Sequence, residues 1–169
     1  MNLNDNKFFS WRTTPPMKTT LWGLAGHECS YSLAHSDSSG FCTYVKIIEG
    51  KKLWFVGSRR GHIKSSEDVL NWACAELKQW DQLIMNPGTP HIVITTEDCF
   101  CVGAHFFNLR CMSSTVEAIV NEHFLGTEWT NDEYPTAPIT LFKLTDDIYE
   151  QVSAGNRGTH LILNLCQTV

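Results

Sequence analysis

The chain has 169 residues, of which 43% are hydrophobic, and it carries a formal net charge of −5. This composition is that of a folded globular protein, and the acidic balance offers no overall basic surface for nucleic acid or an anionic membrane. No apolar run is long enough for a membrane span, and the polar N-terminus lacks the apolar core of a signal peptide. Seven cysteines without a Cys-x-x-Cys pair favour reduced thiols, so we expect an intracellular protein, nuclear or cytoplasmic.

In chain order, the first predicted segment is an arm. Residues 1–19 are rich in Asn, Asp and Thr and contain the pair Pro15-Pro16, which is typical of a loop. The remainder, 20–169, is predicted to form a single domain, because no internal repeat, low-complexity tract or linker interrupts it.

The predicted strands are segments enriched in β-branched and aromatic residues. They cover residues 21–34 (one or two short strands), 40–49, 52–56, 91–96 and 99–107. Turn signals at Glu49-Gly50 and Glu97-Asp98 are expected to separate neighbouring strands.

Three segments are predicted to be helical. In Ser66 to Leu83 apolar residues recur at helical spacing after a serine cap, and the other two helices cover 113–124 and 146–154. The order of strands, one helix, strands and C-terminal helices predicts a mainly β fold with helical decoration, either a small sandwich or a barrel.

A candidate metal site begins with His35 and Asp37. Residues two apart in a strand face the same side, so both side chains can point into one barrel mouth. An imidazole and a carboxylate suit a divalent ion such as Fe(II). In a chain with seven His and 18 acidic residues such a pair also occurs by chance, so the motif needs a third ligand.

The third candidate ligand is His91. The turn at 87–90 delivers the chain into a strand that His91 opens, and an antiparallel partner would bring it beside His35. The alternative is an ordinary surface histidine after a turn.

Lys52 is the candidate for holding an acidic ligand. It precedes an apolar strand, and an inward-facing lysine there would need an acid as its partner. Neighbours in a strand alternate, so either Lys52 or Lys51 faces inward, and the flanking hydrophobic residues do not decide between them.

These sites together resemble the JmjC family of the cupin superfamily, as a short member of the fungal type. The resemblance rests on four motifs in order within 20–108, with core motifs in 30–108: His35-Ser36-Asp37, Gly50-Lys51-Lys52-Leu53-Trp54, Pro87-Gly88-Thr89-Pro90-His91 and Gly103-Ala104-His105-Phe106-Phe107. It implies a double-stranded β-helix, the cupin or jelly-roll barrel, over 20–169, with C-terminal helices within 113–154.

The resemblance also implies a role for each motif residue. His35, Asp37 and His91 would bind Fe(II). Lys52 would bind the distal carboxylate of the co-substrate 2-oxoglutarate, Ser32 would hydrogen-bond that same carboxylate, and His105 would lie near the metal-bound end of the co-substrate.

The implied activity is that of an Fe(II)- and 2-oxoglutarate-dependent dioxygenase. It would hydroxylate a protein or another intracellular substrate, and hydroxylation of an N-methyl group would amount to demethylation. The alternative is a catalytically inactive or truncated cupin-like binding or scaffold protein that retains the motifs, because only 34 residues precede His35. Neither the prime substrate nor the oligomeric state follows from the motifs.

Overall fold

The computed structural model describes residues 20–58, 71–125, 130 and 134–155. They belong to two compact units, of which one is Thr20–Glu133 and the other contains 134–155. The predicted arm at 1–19 lies outside the described residues, as does Cys166. No helix in the described part of the chain is long and apolar enough to cross a membrane.

The described residues of the larger unit form six strands, one short 3-10 turn and one helix. The strands are β1 (Leu21–Gly26), β2 (Tyr31–His35), β3 (Cys42–Ser58), β4 (Asn71–Lys78), β5 (Gln82–Met85) and β6 (His91–Phe106). A 3-10 turn at Leu109–Cys111 leads into α1 (Met112–Leu125), while α2 (Ala137–Ser153) belongs to the second unit.

The two long strands organise the sheet. β3 and β6 pair antiparallel from Cys42–Phe106 to Val56–His91, with shifts in register between Ile47 and Lys52. On either side of these shifts, each long strand has a different outer partner. The first half of β3 pairs with β5 and its second half with β4, whereas the second half of β6 pairs with β1 and its first half with β2.

When each long strand is counted as two halves, the six described strands give eight segments in two four-stranded antiparallel sheets. One sheet has the order β1, β6, β3, β5 and the other β2, β6, β3, β4. This connectivity is the double-stranded β-helix, or jelly roll, so the predicted fold class is confirmed. Both sheets contribute to one buried core, whose members are Val45, Ile47, Trp54, Leu77, Met85, Val93, Cys99 and Cys101.

The predicted turns at Glu49-Gly50 and Glu97-Asp98 are bends within continuous strands. Pairing persists across them, with Glu49 opposite Phe100 and Lys51 opposite Glu97. Gly50 makes the bend possible, because its φ is +80° and a Cβ there would lie 2.1 Å from the carbonyl oxygen of Asp98. The prediction of four separate strands was therefore wrong: turn residues can also mark a bulge where one strand passes between sheets.

Gly50→Ala is expected to destabilise the fold strongly. A side chain at this φ is strained, and the neighbouring carbonyl belongs to backbone that cannot rotate away. We expect a loss of about 2–4 kcal/mol in the free energy of unfolding, measured by urea titration. Gly155→Ala is the control, since its φ is +74° but no atom lies within 4 Å of the added Cβ. Equal losses for the two variants would contradict the close approach at Gly50.

The helix predicted for Ser66 to Leu83 was wrong for its described part. Residues 66–70 lie outside the described residues, and the rest forms β4 and β5. β4 pairs with β3 at eight successive positions, and this long-range pairing overrides the local helical spacing. Two residues expected on the buried helix face, Trp72 and Trp80, are instead 41% and 60% exposed.

The two C-terminal helices exist. α1 covers the predicted 113–124 with one more residue at each end, and Asn108 caps the 3-10 turn that precedes it. α2 includes most of the predicted 146–154 but begins at Ala137, because a proline in its first turn is already set to the helical φ.

Candidate metal centre

The jelly roll brings the three predicted metal ligands together. His35 ends β2 and His91 opens β6, and the two are paired across the strands with ring centroids 4.2 Å apart. Asp37 follows two residues after His35. One potential ligand atom from each residue lies within 4.8 Å of the other two, which is close to the span across one ion with bonds of about 2.0–2.2 Å.

Both histidines are oriented by backbone carbonyl groups. Nδ1 of His35 is 2.6 Å from the oxygen of Leu33, and Nδ1 of His91 is 3.0 Å from the oxygen of Thr89. A carbonyl oxygen only accepts, so each Nδ1 carries the proton and each Nε2 presents its lone pair. Metal-binding histidines are typically fixed in this way, and the two imidazoles therefore fit a divalent ion.

Asp37 supplies the acidic ligand. Its Oδ2 accepts a hydrogen bond from the hydroxyl group of Thr43, at the start of β3. The Oδ1 atom is left for a metal ion. Two imidazole nitrogens and one carboxylate oxygen form the donor set of non-haem Fe(II) sites, and the donors present fit that ion.

Helix α1 holds the loop that carries Asp37. The Thr115 hydroxyl donates to the Gly40 carbonyl oxygen at 2.9 Å, and Glu122 accepts from the backbone N–H of Ser39 at 2.8 Å. Gly40 has a φ of +65°, and a Cβ there would lie 2.6 Å from the Thr115 carbonyl oxygen. The loop that carries Asp37 is therefore packed directly against α1.

His91 is the buried member of the set. It is 3% exposed, and the indole of Trp54 stacks on it with ring centroids 5.9 Å apart. Burial lowers the pKa of His91 despite the opposing effect of Asp37, while His35 and His105 lower it further. His91 therefore remains neutral, and able to bind a metal, to a lower pH than an ordinary histidine.

This lowered pKa predicts that the metal-free protein loses stability in acid. Between the folded pKa of His91 and the ordinary value of 6.5, the unfolded chain binds more protons than the folded one. We therefore expect His91 to make its full contribution to the free energy of unfolding above pH 6.5. This contribution is lost as the pH falls towards the pKa of His91 in the folded protein. Urea titrations of the apo protein from pH 7.5 to 5 should show a smaller decline for His91→Gln. Equal declines would contradict a neutral, buried His91.

Lys52 is the inward-facing lysine. It is 3% exposed, and its Nζ donates to the Thr95 hydroxyl at 2.8 Å, which in turn bonds to the hydroxyl of Ser30 at 2.9 Å. Lys51 faces solvent and pairs with Glu97 at 2.6 Å. Lys52 and His91 thus lie on the same inner face of the barrel, with Trp54 between them along the strands.

No carboxylate in the described part of the chain forms an ion pair with Lys52. Two thiols lie near it, but burial raises the pKa of Cys101 to about 11 and also raises that of Cys99. Both thiols are therefore uncharged at neutral pH. A buried ammonium group without an anionic partner is costly, so this position would suit an anionic ligand.

The two remaining predicted residues lie in different surroundings. Ser32 is exposed on β2, opposite Val93, and the serine next to Thr95 is Ser30. His105 is buried on β6, and its Nδ1 is 3.0 Å from the hydroxyl of Thr43.

Sequence reasoning missed Thr95 and Thr43. Thr95 could have been found from alternation along β6, since His91, Val93 and Thr95 share a face. Thr43 could not, because its contact with Asp37 depends on how the loop between β2 and β3 folds.

The comparisons with known proteins concern the fold. No protein-family model and no curated protein matches the chain. A similar solved structure is the Drosophila melanogaster CENP-C cupin domain, 7% identical with a TM-score of 0.43 over 55% of this chain and 65% of that one.

Two further structures are similar at the same level. One is a cupin superfamily protein from Desulfitobacterium hafniense, 8% identical with a TM-score of 0.40 over 52% of this chain and 66% of that one. The other is dTDP-4-dehydrorhamnose 3,5-epimerase from Sulfolobus tokodaii, 18% identical with a TM-score of 0.42 over 52% and 51%. The chain thus spans less than two thirds of each protein. The assignment of a jelly roll depends on the strand order of this chain itself.

Proposed function

We propose that the chain is an Fe(II)- and 2-oxoglutarate-dependent oxygenase of the JmjC type. The observation that carries the proposal is the buried Lys52, which has no acidic partner among the described residues and lies in the same barrel as a His-Asp-His cluster. A metal site alone is common to many chemistries. A metal site and a buried cation together suit a ligand that chelates the metal at one end and carries an acid at the other.

The barrel interior adds hydrogen-bond donors without acceptors. The indole N–H groups of Trp22 and Trp54 are buried and have no hydrogen-bond partner among the described residues. An unsatisfied buried donor costs about 1–3 kcal/mol, so a ligand with several oxygen atoms would stabilise this interior. 2-Oxoglutarate, with two carboxylates and a keto group, carries acceptors of this kind.

Each polar residue then has a defined task. His35, Asp37 and His91 hold the ion, and Lys52, itself held by Thr95, binds the distal carboxylate of 2-oxoglutarate. His105 and Ser32 are proposed as further contacts to the co-substrate. Burial at Lys52 and Trp54 excludes water, which strengthens the ion pair and protects the reaction from side reactions.

The bound metal with O2 would oxidise 2-oxoglutarate to succinate and CO2 and insert one oxygen atom into a substrate C–H bond. The protein orients the reactants and keeps the site dry. The substrate class proposed is an intracellular protein or another intracellular molecule, and an N-methyl substrate would be demethylated.

Succinate formation tests the proposal directly. Purified protein is loaded with Fe(II) without oxygen, 2-oxoglutarate is added, and succinate is measured after exposure to air. We expect succinate whose formation depends on the added Fe(II). Loaded wild-type protein that forms none over hours, with and without candidate peptides, would favour the binding or scaffold alternative instead.

A further inference from the structure

A buried chain of hydrogen bonds leads from His105 through Thr43 to the metal ligand Asp37. Nδ1 of His105 is 3.0 Å from Oγ1 of Thr43, and that oxygen bonds to Oδ2 of Asp37. Thr43 and His105 are direct partners in the pairing of β3 and β6, so the sheet itself sets their separation. They are 3% and 5% exposed.

The direction of this chain follows from its chemistry. An ionised carboxylate only accepts hydrogen bonds, and a hydroxyl has a single hydrogen to donate. The Thr43 hydroxyl therefore donates to Asp37 and accepts from Nδ1–H of His105. His105 is thereby fixed in one tautomer, with its proton on Nδ1.

The ring of His105 is also held by packing. Phe41, just before β3, stacks on the ring of His105 with centroids 5.9 Å apart. Trp22 of β1 is tilted against the same ring with centroids 6.0 Å apart. A ring fixed between aromatic side chains can hold the threonine hydroxyl in one rotamer. Such supporting hydrogen bonds orient ligands and commonly contribute 10–100-fold to metal affinity.

We propose that Thr43 is a positioning residue for the metal site and that His105 anchors it. The bond from the Thr43 hydroxyl to Oδ2 fixes the rotation of the Asp37 carboxylate, so that Asp37 presents Oδ1 to the ion. A carboxylate without this bond could rotate and bind the ion through both oxygens, using a position that the co-substrate or O2 needs. The proposal rests on the proposed metal site but not on the use of 2-oxoglutarate.

The test compares two substitutions of Thr43. Valine has the same shape without the hydroxyl, whereas serine keeps the hydroxyl. Co(II) titration of the metal-free protein gives the affinity and, through the visible absorption bands, the coordination of the ion. We expect Thr43→Val to weaken Co(II) binding by about 10–100-fold and to change its spectrum. Thr43→Ser should stay within about threefold of wild type, with the wild-type spectrum.

His105 provides the second arm. His105→Leu should weaken Co(II) binding less than Thr43→Val, by about three- to tenfold, since the Thr43 hydroxyl remains but loses its anchor. The double variant with Thr43→Val should be no weaker than Thr43→Val alone, because both act through one hydroxyl. Losses that simply add would show that His105 acts separately from Thr43.

The outcomes separate this proposal from the oxygenase. Thr43→Val with wild-type affinity and spectrum overturns it, and so does a Thr43→Ser variant as weak as Thr43→Val. Thermal melting of each metal-free variant shows whether a loss of Co(II) affinity comes from unfolding. A Thr43→Ser variant that melts at the same temperature as Thr43→Val, but binds Co(II) as wild type does, supports the positioning role of the hydroxyl. A wild-type chain that binds no Co(II) overturns the proposal together with the metal site. A wild-type chain that binds Co(II) but forms no succinate overturns only the oxygenase.

Discussion

Asp37→Ala is expected to abolish Fe(II)-dependent formation of succinate while the fold persists. Asp37 is the only anionic ligand of the cluster, and two neutral imidazoles hold Fe(II) weakly. We expect no detectable turnover and a loss of at least about 100-fold in Fe(II) or Co(II) affinity. The melting temperature of the metal-free protein should change little. No described lysine or arginine forms an ion pair with Asp37, so the variant loses no ion pair among the described residues.

The matched control is Asp98→Ala. Asp98 is also an aspartate of the barrel, but it lies at the solvent-exposed bend of β6 and contacts His27 and the backbone of Glu28. This variant should bind metal and form succinate as wild type does. If Asp37→Ala keeps wild-type affinity for metal, the three residues do not form the metal site.

Lys52→Ala is expected to raise sharply the concentration of 2-oxoglutarate that gives half-maximal turnover. Loss of one member of a buried charge pair costs about 3–5 kcal/mol, which corresponds to about 10²–10⁴-fold in affinity. Metal binding should remain, since Lys52 bonds to Thr95 and to none of the three ligands. The measurement is succinate formed against 2-oxoglutarate concentration, together with Co(II) titration of the same samples.

Two further variants isolate the charge of Lys52. Lys52→Met keeps the long apolar stem and should be as defective as Lys52→Ala, because the lost group is the amino group and not the packing. Lys51→Ala, which removes only the exposed pair with Glu97, should change the requirement less than about twofold. Equal defects in Lys51→Ala and Lys52→Ala would remove Lys52 from the co-substrate site.

Local chemistry determined where ligands could lie. Alternation along a strand predicted that His35 and Asp37 face the same side, although the structure places Asp37 in the loop just after β2. The turn at 87–90 predicted that His91 opens a strand, and it does. Both expectations are readable without a fold. The mainly β class followed in the same way, from the spacing of β-branched and aromatic segments.

Long-range pairing decided what the local pattern could not. Residues 71–83 have the spacing of a helix, yet most of them form strands because β3 offers an edge with eight matching positions. Likewise, the residues at Glu49-Gly50 and Glu97-Asp98 bend two strands without ending them, since the pairing partner continues across each bend.

The tertiary structure also chose between Lys51 and Lys52. The flanking residues are apolar on both faces of that strand, so alternation alone left two equivalent answers. The register shift after Ile47 fixes which face is inward, and it places Lys52 beside Thr95 while Lys51 reaches Glu97 in solvent.

By itself, the sequence determined the residue types of a metal site, their order along the chain and the fold class that could gather them, because these depend on local alternation and turns. Only the tertiary structure decided that His35 and His91 are neighbours, that Lys52 is buried without a described acid, and that Thr43 links His105 to Asp37. Except for the bond between Thr43 and its near neighbour Asp37, these contacts join residues that are 43 to 62 positions distant in the sequence. Such contacts depend on the register of paired strands, which no local segment of the chain encodes.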